Sequence, residues 1–106
     1  MKVVITSQGN DSQSIVDARF GRCAYFAIYD IESRTLTFKK NPNKEVEEGA
    51  GPASVSFVAN LGASKIVSGE FGAKIRTLLN DLKIQMIIMK QEKTIQEIVE
   101  LLTFKK

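Results

Sequence analysis

Between Lys65 and Met89 the chain reads as strand, helix, strand, and no other stretch limits its fold so tightly. Lys65 to Ser68 and Ile84 to Met89 are rich in β-branched and apolar residues. Between them Phe71, Ile75, Leu78, Leu79 and Leu82 recur at steps of three and four, which predicts a helix that packs one face on a sheet. Strands joined through a helical crossover lie parallel, with a right-handed connection. The unbroken run Met86 to Met89 fits a strand covered on both faces.

The flanking sequence extends this unit. Lys2 to Thr6, Tyr25 to Asp30 and Thr35 to Lys40 read as further strands. The last two are separated only by Ile31-Glu-Ser-Arg34, so they form an antiparallel hairpin in which Leu36 and Phe38 alternate with threonine and lysine. One helix opens at Gly51-Pro52, turns Ala53, Phe57, Val58 and Leu61 inward, and stops at Gly62. Another opens at Thr94-Ile-Gln-Glu97, where threonine and glutamate can cap each other's backbone N–H groups, and buries Ile95, Ile98, Val99 and Leu102. The expected order is strand, strand, strand, helix, strand, helix, strand, helix. That describes an α/β domain spanning residues 1–106, with a five-stranded mixed sheet and helices on both faces.

A chain of 106 residues with 43% hydrophobic residues can bury one core. No apolar run is long enough to span a bilayer, and Met1 to Ile5 meets a polar loop before a signal-peptide core could form. The one cysteine, Cys23, has no partner for an internal disulfide, and a free thiol suits a reducing compartment. A cytoplasmic protein is expected, as a monomer or weak homodimer. The net charge of +3 tolerates anionic partners without specifying one.

Two long irregular stretches, Ser7 to Ala24 and Asn41 to Gly51, are candidate binding loops. If the first strand lies between the hairpin and the fourth strand, both loops and the starts of the first two helices meet at one sheet edge, together with Gly69. That edge is where α/β sheets bind ligands. On the loop Asp17-Ala-Arg-Phe-Gly-Arg-Cys23, two cationic neighbours would favour the Cys23 thiolate and make it a soft-metal ligand; the alternative is a small buried apolar residue at a strand start. Of Arg19 and Arg22, one is expected to pair with Asp17 and the other to contact an anionic ligand. Gly21 implies a tight turn or close backbone approach, and Phe20 pins the loop to the core. Gly49-Ala-Gly51 leads into a helix start suited to an anionic group, or is a plain junction. Asp30 should lie at the opposite edge in a structural role.

Catalytic signals are few. With no histidine in the chain a histidine-dependent triad is impossible, and there is neither a Cys-x-x-Cys pair nor a Gly-x-Ser-x-Gly turn. Gly69 to Lys74 lacks the spacing of a phosphate loop. The first strand has no carboxylate for a two-metal nuclease, which makes nucleic-acid processing the least favoured reading.

The segments Val16-Asp-Ala-Arg-Phe-Gly-Arg-Cys23, Tyr25-Phe26, Gly49-Ala-Gly51 and Val67-Ser-Gly69 with Gly72 together resemble the dinitrogenase iron-molybdenum cofactor biosynthesis family over nearly the whole chain. The resemblance implies a three-layer ribonuclease-H-like domain. It also implies a non-enzymatic carrier of an iron-molybdenum or iron-sulfur type cluster or its precursor, working with cofactor-assembly proteins. Cys23 would ligate metal, Arg19 and Arg22 would balance charge, and N–H groups near Gly21, Gly51 and Gly69 would bond the cluster's outer atoms. Glu48 stands beside the Gly-Ala-Gly motif, where family relatives often carry histidine. A reading from another class is a metal-free regulatory or interaction module that binds an anionic small molecule or a partner protein.

Overall fold

The computed structural model describes residues 1–104. Its elements are β1 (Lys2–Ser7), β2 (Tyr25–Asp30), β3 (Thr35–Lys40), α1 (Ala50–Asn60), β4 (Ala63–Ser68), α2 (Ala73–Asp81), β5 (Gln85–Ile88) and α3 (Ile95–Phe104). The strands form one sheet in the order β3-β2-β1-β4-β5. β1 pairs antiparallel with β2 and parallel with β4, so β2 alone runs against the other four strands.

Strand alternation divides the apolar residues between the two faces. Val4, Phe26, Ile28 and Ile66 meet Val55 and Val58 of α1 and Ile75 and Leu79 of α2. Val3, Ile5, Ala27 and Val67 meet Ile95 and Ile98 of α3. Two helices therefore cover one face and a single helix covers the other. No helix among the described residues is long and apolar enough to cross a membrane.

Local signals place the element ends. Asp30 lies at the edge opposite the loops, where its Oδ1 accepts from the backbone N–H groups of Glu32 and Ser33 and shapes the hairpin turn. The reciprocal cap of α3 is present: the Glu97 N–H donates to Thr94 Oγ1 at 3.1 Å, and the Thr94 N–H donates to Glu97 Oε1 at 2.8 Å. That bond from the Thr94 backbone holds the exposed Glu97 carboxyl below its usual pKa.

Several expected positions differ. On α1 the buried residues are Ala50, Ser54, Val55 and Val58, so Ala53, expected inward, sits at the margin of that face. Period alone locates a helix face only approximately when small residues such as Ala53, Ser54 and Ser56 are interchangeable to the eye. α2 begins at Ala73, and Phe71 reaches the same core from the preceding turn. Leu82 follows the end of α2 and is 51% exposed rather than inward. β5 is four residues long and lies at the sheet margin, which leaves Gln85 and Ile88 exposed in place of full cover on both faces.

Candidate functional site

The carboxyl ends of β1 and β4 meet the loop from Gln8 to Ala24, and the buried polar side chains gather here. Thr6, Ser7, Asp17, Asn41, Ser54 and Ser68 are all at most 4% exposed. Burying such groups unpaired costs several kcal/mol each, roughly 2–7 by transfer measurements, so their partners define the architecture of this edge.

Thr6 Oγ1 donates to the Asp17 carbonyl at 2.7 Å, and the Asp17 and Gly69 N–H groups donate to Thr6 O and Asp17 O. Asp17 is thereby wedged between the ends of β1 and β4. Asn41 Nδ2 donates to the carbonyls of Gly21 at 3.1 Å and Cys23 at 2.9 Å, while its Oδ1 accepts from the Asn43 N–H. Ser54 Oγ, in the first turns of α1, donates to the Gly21 carbonyl at 3.3 Å. Asn41 and Ser54 were not singled out by sequence. Asn41 carried one usable signal, an asparagine before proline at a strand end, and Ser54 carried none.

Close backbone approach explains two of the expected glycines. A Cβ on Gly21 would lie 3.0 Å from Gly51 Cα, so the loop rests directly on the start of α1. A Cβ on Gly69 would fall 2.5 Å from Ala18 Cα, which presses the end of β4 against the same loop. Gly51 in turn faces Ile75 of α2, and Gly49 holds a left-handed φ of 75° as the residue before α1. Phe20 packs between the rings of Phe26 and Phe71 with centroids 5.9 and 6.0 Å away, which pins the loop.

The two arginines do different work. Arg19 pairs through Nε with Asp17 Oδ1 at 3.4 Å, and its side chain stays 60% exposed, so the outer guanidinium nitrogens face solvent. Arg22 is turned away: its guanidinium donates to the carbonyls of Lys44, Val46 and Glu47 and straps the 41–49 segment down. The expected anion contact by Arg22 is therefore replaced by a structural one, and Arg19 combines the pairing role with the exposed charge.

Of the two readings of Cys23, its surroundings match the small buried apolar residue. Its Sγ is fully buried, donates to the Phe20 carbonyl at 3.4 Å, and packs with Phe26 and Val55. Burial first, and then the Asp17 carboxylate, push its pKa from an ordinary 9.0 up to about 12. Neither arginine offsets this, because both guanidinium groups are engaged elsewhere. In this conformation Cys23 sits in the core, where burial disfavours the thiolate that a metal would require. Among the described residues no group of three His, Cys, Asp or Glu side chains is placed to hold a metal ion.

What the edge does offer is directional. α1 and α2 both begin here, behind Gly49 and Gly72, with no side-chain cap and no acidic residue in the first turn. At α2 the free N–H groups and partial positive charge favour an anion, close to Arg19, whose backbone bridges Glu70 just ahead of Gly72. At α1 Pro52 has no N–H and Gly21 rests on Gly51, so that start contributes mainly its partial charge. A separate cleft of about 400 Å³ opens past Gly69, between Gln8, Ala18, Glu70, Lys90 and Gln91, with charges of both signs. Of the expected residues only Gly69 lines it.

The family model described as dinitrogenase iron-molybdenum cofactor matches residues 1–104. The chain belongs to that family. An uncharacterized protein of Methanocaldococcus jannaschii is 28% identical over 89 residues, which is 81% of this chain and 72% of the relative. A NifB-like protein from Thermotoga has a solution structure that superposes with a TM-score of 0.83 at 27% identity, covering 98% of this chain and 88% of the other. The orange protein of Desulfovibrio gigas, solved in its apo form, superposes with a TM-score of 0.88 over 95% of this chain and 85% of its own, and at 24% identity shows the shared fold.

Proposed function

We propose that this member of the dinitrogenase iron-molybdenum cofactor family is a non-enzymatic cytoplasmic protein that binds and carries an anionic iron-molybdenum or iron-sulfur type cluster, or its precursor, between assembly proteins. The observation that carries the reading is the pairing of two uncapped helix starts with the exposed Arg19 on one edge. In this reading the buried Cys23 stays a thiol, because burial disfavours its thiolate, and the chain leaves the metal's coordination sphere to the cargo's own ligands. The cargo therefore arrives with its ligands in place and is held through its outer sulfur or oxygen atoms by backbone N–H groups and Arg19.

The test is anaerobic gel filtration with a synthetic [4Fe–4S] cluster carrying four small thiolates, followed by its visible absorbance. Wild type and Cys23→Ala should carry the colour equally, and Arg19→Ala should bind several-fold more weakly. Loss of binding in Cys23→Ala alone would restore protein ligation and overturn this mode. The open start of α2 beside the exposed Arg19 equally suits a second reading, a metal-free module for a multiply charged small anion or a partner protein. Saturable binding of an inorganic polyphosphate with no uptake of the cluster would select it.

A further inference from the structure

β3 is the outer strand of an antiparallel hairpin, and its free side is built differently from that of β5. The ladder with β2 runs unbroken through all six residues, from Thr35 opposite Asp30 to Lys40 opposite Tyr25. One step further, the Asn41 N–H donates to the Ala24 carbonyl at 3.0 Å. Antiparallel pairs alternate between bonded and non-bonded. The bonded residues are thus Asn41, Lys39, Thr37 and Thr35, and the N–H and C=O groups of Leu36, Phe38 and Lys40 point outward from the sheet.

A cleft lies on each face of this strand. On the α1 side, a space of about 310 Å³ is lined by Lys2, Thr35, Thr37 and Lys39, with Asp30 at the hairpin-turn end. On the α3 side, one of about 640 Å³ at the end of the strand is lined by Tyr25, Lys40, Pro42 and Lys44, with Glu45 beside them, beyond the half-buried Leu36 and Phe38. Among the described residues neither Lys39 nor Lys40 belongs to an ion pair. Edge lysines discourage pairing with a copy of the same strand, since they bring like charges together, and they leave an acidic strand acceptable. β5 offers no such match, with four residues and no charge within the strand.

We propose that the β3 edge docks an extended segment of a partner protein by strand addition, and that this segment is acidic at the end facing Lys39 and Lys40. Main-chain bonds to Leu36, Phe38 and Lys40 supply affinity, and the clefts on alternate sides supply selectivity. The side-chain order follows from the register. Read from Lys40 towards Thr35 in an added antiparallel strand, it is acidic, acidic, apolar, polar, apolar, polar. The two apolar positions lie over Leu36 and Phe38, and the two acids face Lys40 and Lys39. This surface runs along the outermost strand, two strands away from β1, and its docking role does not depend on the cargo.

The experiment uses a fluorescein-labelled peptide, Glu-Asp-Val-Thr-Val-Thr with neutral flanks, followed by fluorescence anisotropy. Saturable binding is expected. It should fall at least tenfold with K39E/K40E and weaken as salt rises. Leu36→Pro removes an outward N–H while sparing the bonds to β2, and it should weaken binding at least fivefold. If that variant fails to fold, amide exchange on the wild type decides. Added peptide should protect Leu36, Phe38 and Lys40, whereas Thr35, Thr37 and Lys39 are protected already. Absent binding, equal binding by K39E/K40E, or protection without this alternation would overturn the proposal. So would concentration-dependent self-association lost in Leu36→Pro, which would make a second copy the occupant.

Discussion

Three helices begin at the same edge of the sheet, and one beginning is finished while two are not. At α3 the side chains of Thr94 and Glu97 bond each other's N–H groups, and the Ile95 and Gln96 N–H groups donate to the carbonyls of Ser14 and Ser12 at 2.8 Å. At α1 and α2 glycines stand in the capping position and offer nothing. The difference shows that this chain can cap a helix fully where it has reason to. It also divides the edge into a closed side under α3 and an open side between α1 and α2, and the exposed charge of Arg19 belongs to the loop that adjoins the open side.

The largest effect should come from the apolar floor of the open side. Cys23 has a folded pKa near 12, above its ordinary 9.0. An acid whose pKa rises on folding favours the native state while it stays protonated, so its contribution is complete below the unfolded value and is lost as pH climbs through the folded one. Relative to Cys23→Ala, the wild type should lose stability progressively as pH rises from about 9 to about 12. Urea midpoints of both proteins at several alkaline pH values check this, and parallel curves would mean that the thiol is accessible.

Next in size is Gly69→Ala. Its new methyl would meet the Ala18 backbone at 2.5 Å, and backbone cannot swing aside, so a loss of about 1–3 kcal/mol is expected. Gly72→Ala, with nothing within 4 Å of the added carbon, serves as the control and should remain near wild type in the same denaturation. Equal stability of the two variants would show that the loop yields and that the open side is not rigidly built.

The smallest effects exchange the two kinds of helix start. Thr94→Ala removes a cap and should cost about 1 kcal/mol without changing anion binding. Gly72→Asp supplies a cap at an extended backbone position, where it should add roughly 0.5–1 kcal/mol while weakening binding of the anionic cluster. If Thr94→Ala impairs binding and Gly72→Asp does not, the assignment of open and closed sides is reversed.

What the sequence disclosed follows the range of the interactions concerned. The hairpin turn, the Thr94 and Glu97 cap and the order of strands depend on neighbours within a few residues or on period, and they read directly. The strand order also brought Asp17, Gly21, Gly51 and Gly69 to one edge before any coordinates. The surroundings of Cys23 and Arg22 did not read, because each is decided by remote partners: Asn41 and Val55 of α1 for the thiol, and the carbonyls of 44–47 for the guanidinium. Nearness in sequence placed two cations beside Cys23, and tertiary packing took both away. Leu82 misled in the opposite sense, since an apolar residue in register with a helix need not be reached by the core after the helix has ended.

The segment from Ser12 to Asp17 is held on one side by β1 and on the other by residues 93–96. The Gln8 N–H donates to Ile15 O, and the Val16 N–H donates to Lys93 O at 2.9 Å. The residues that shape this stretch and those that fasten it lie far apart in the chain, so it is ordered only where the two are brought together. The final helix therefore fastens only the first half of the loop, while β1, β4, Phe26 and Phe71 fix the half that carries Arg19, so loosening α3 should free Ser12 to Val16 and leave Asp17 to Cys23 in shape.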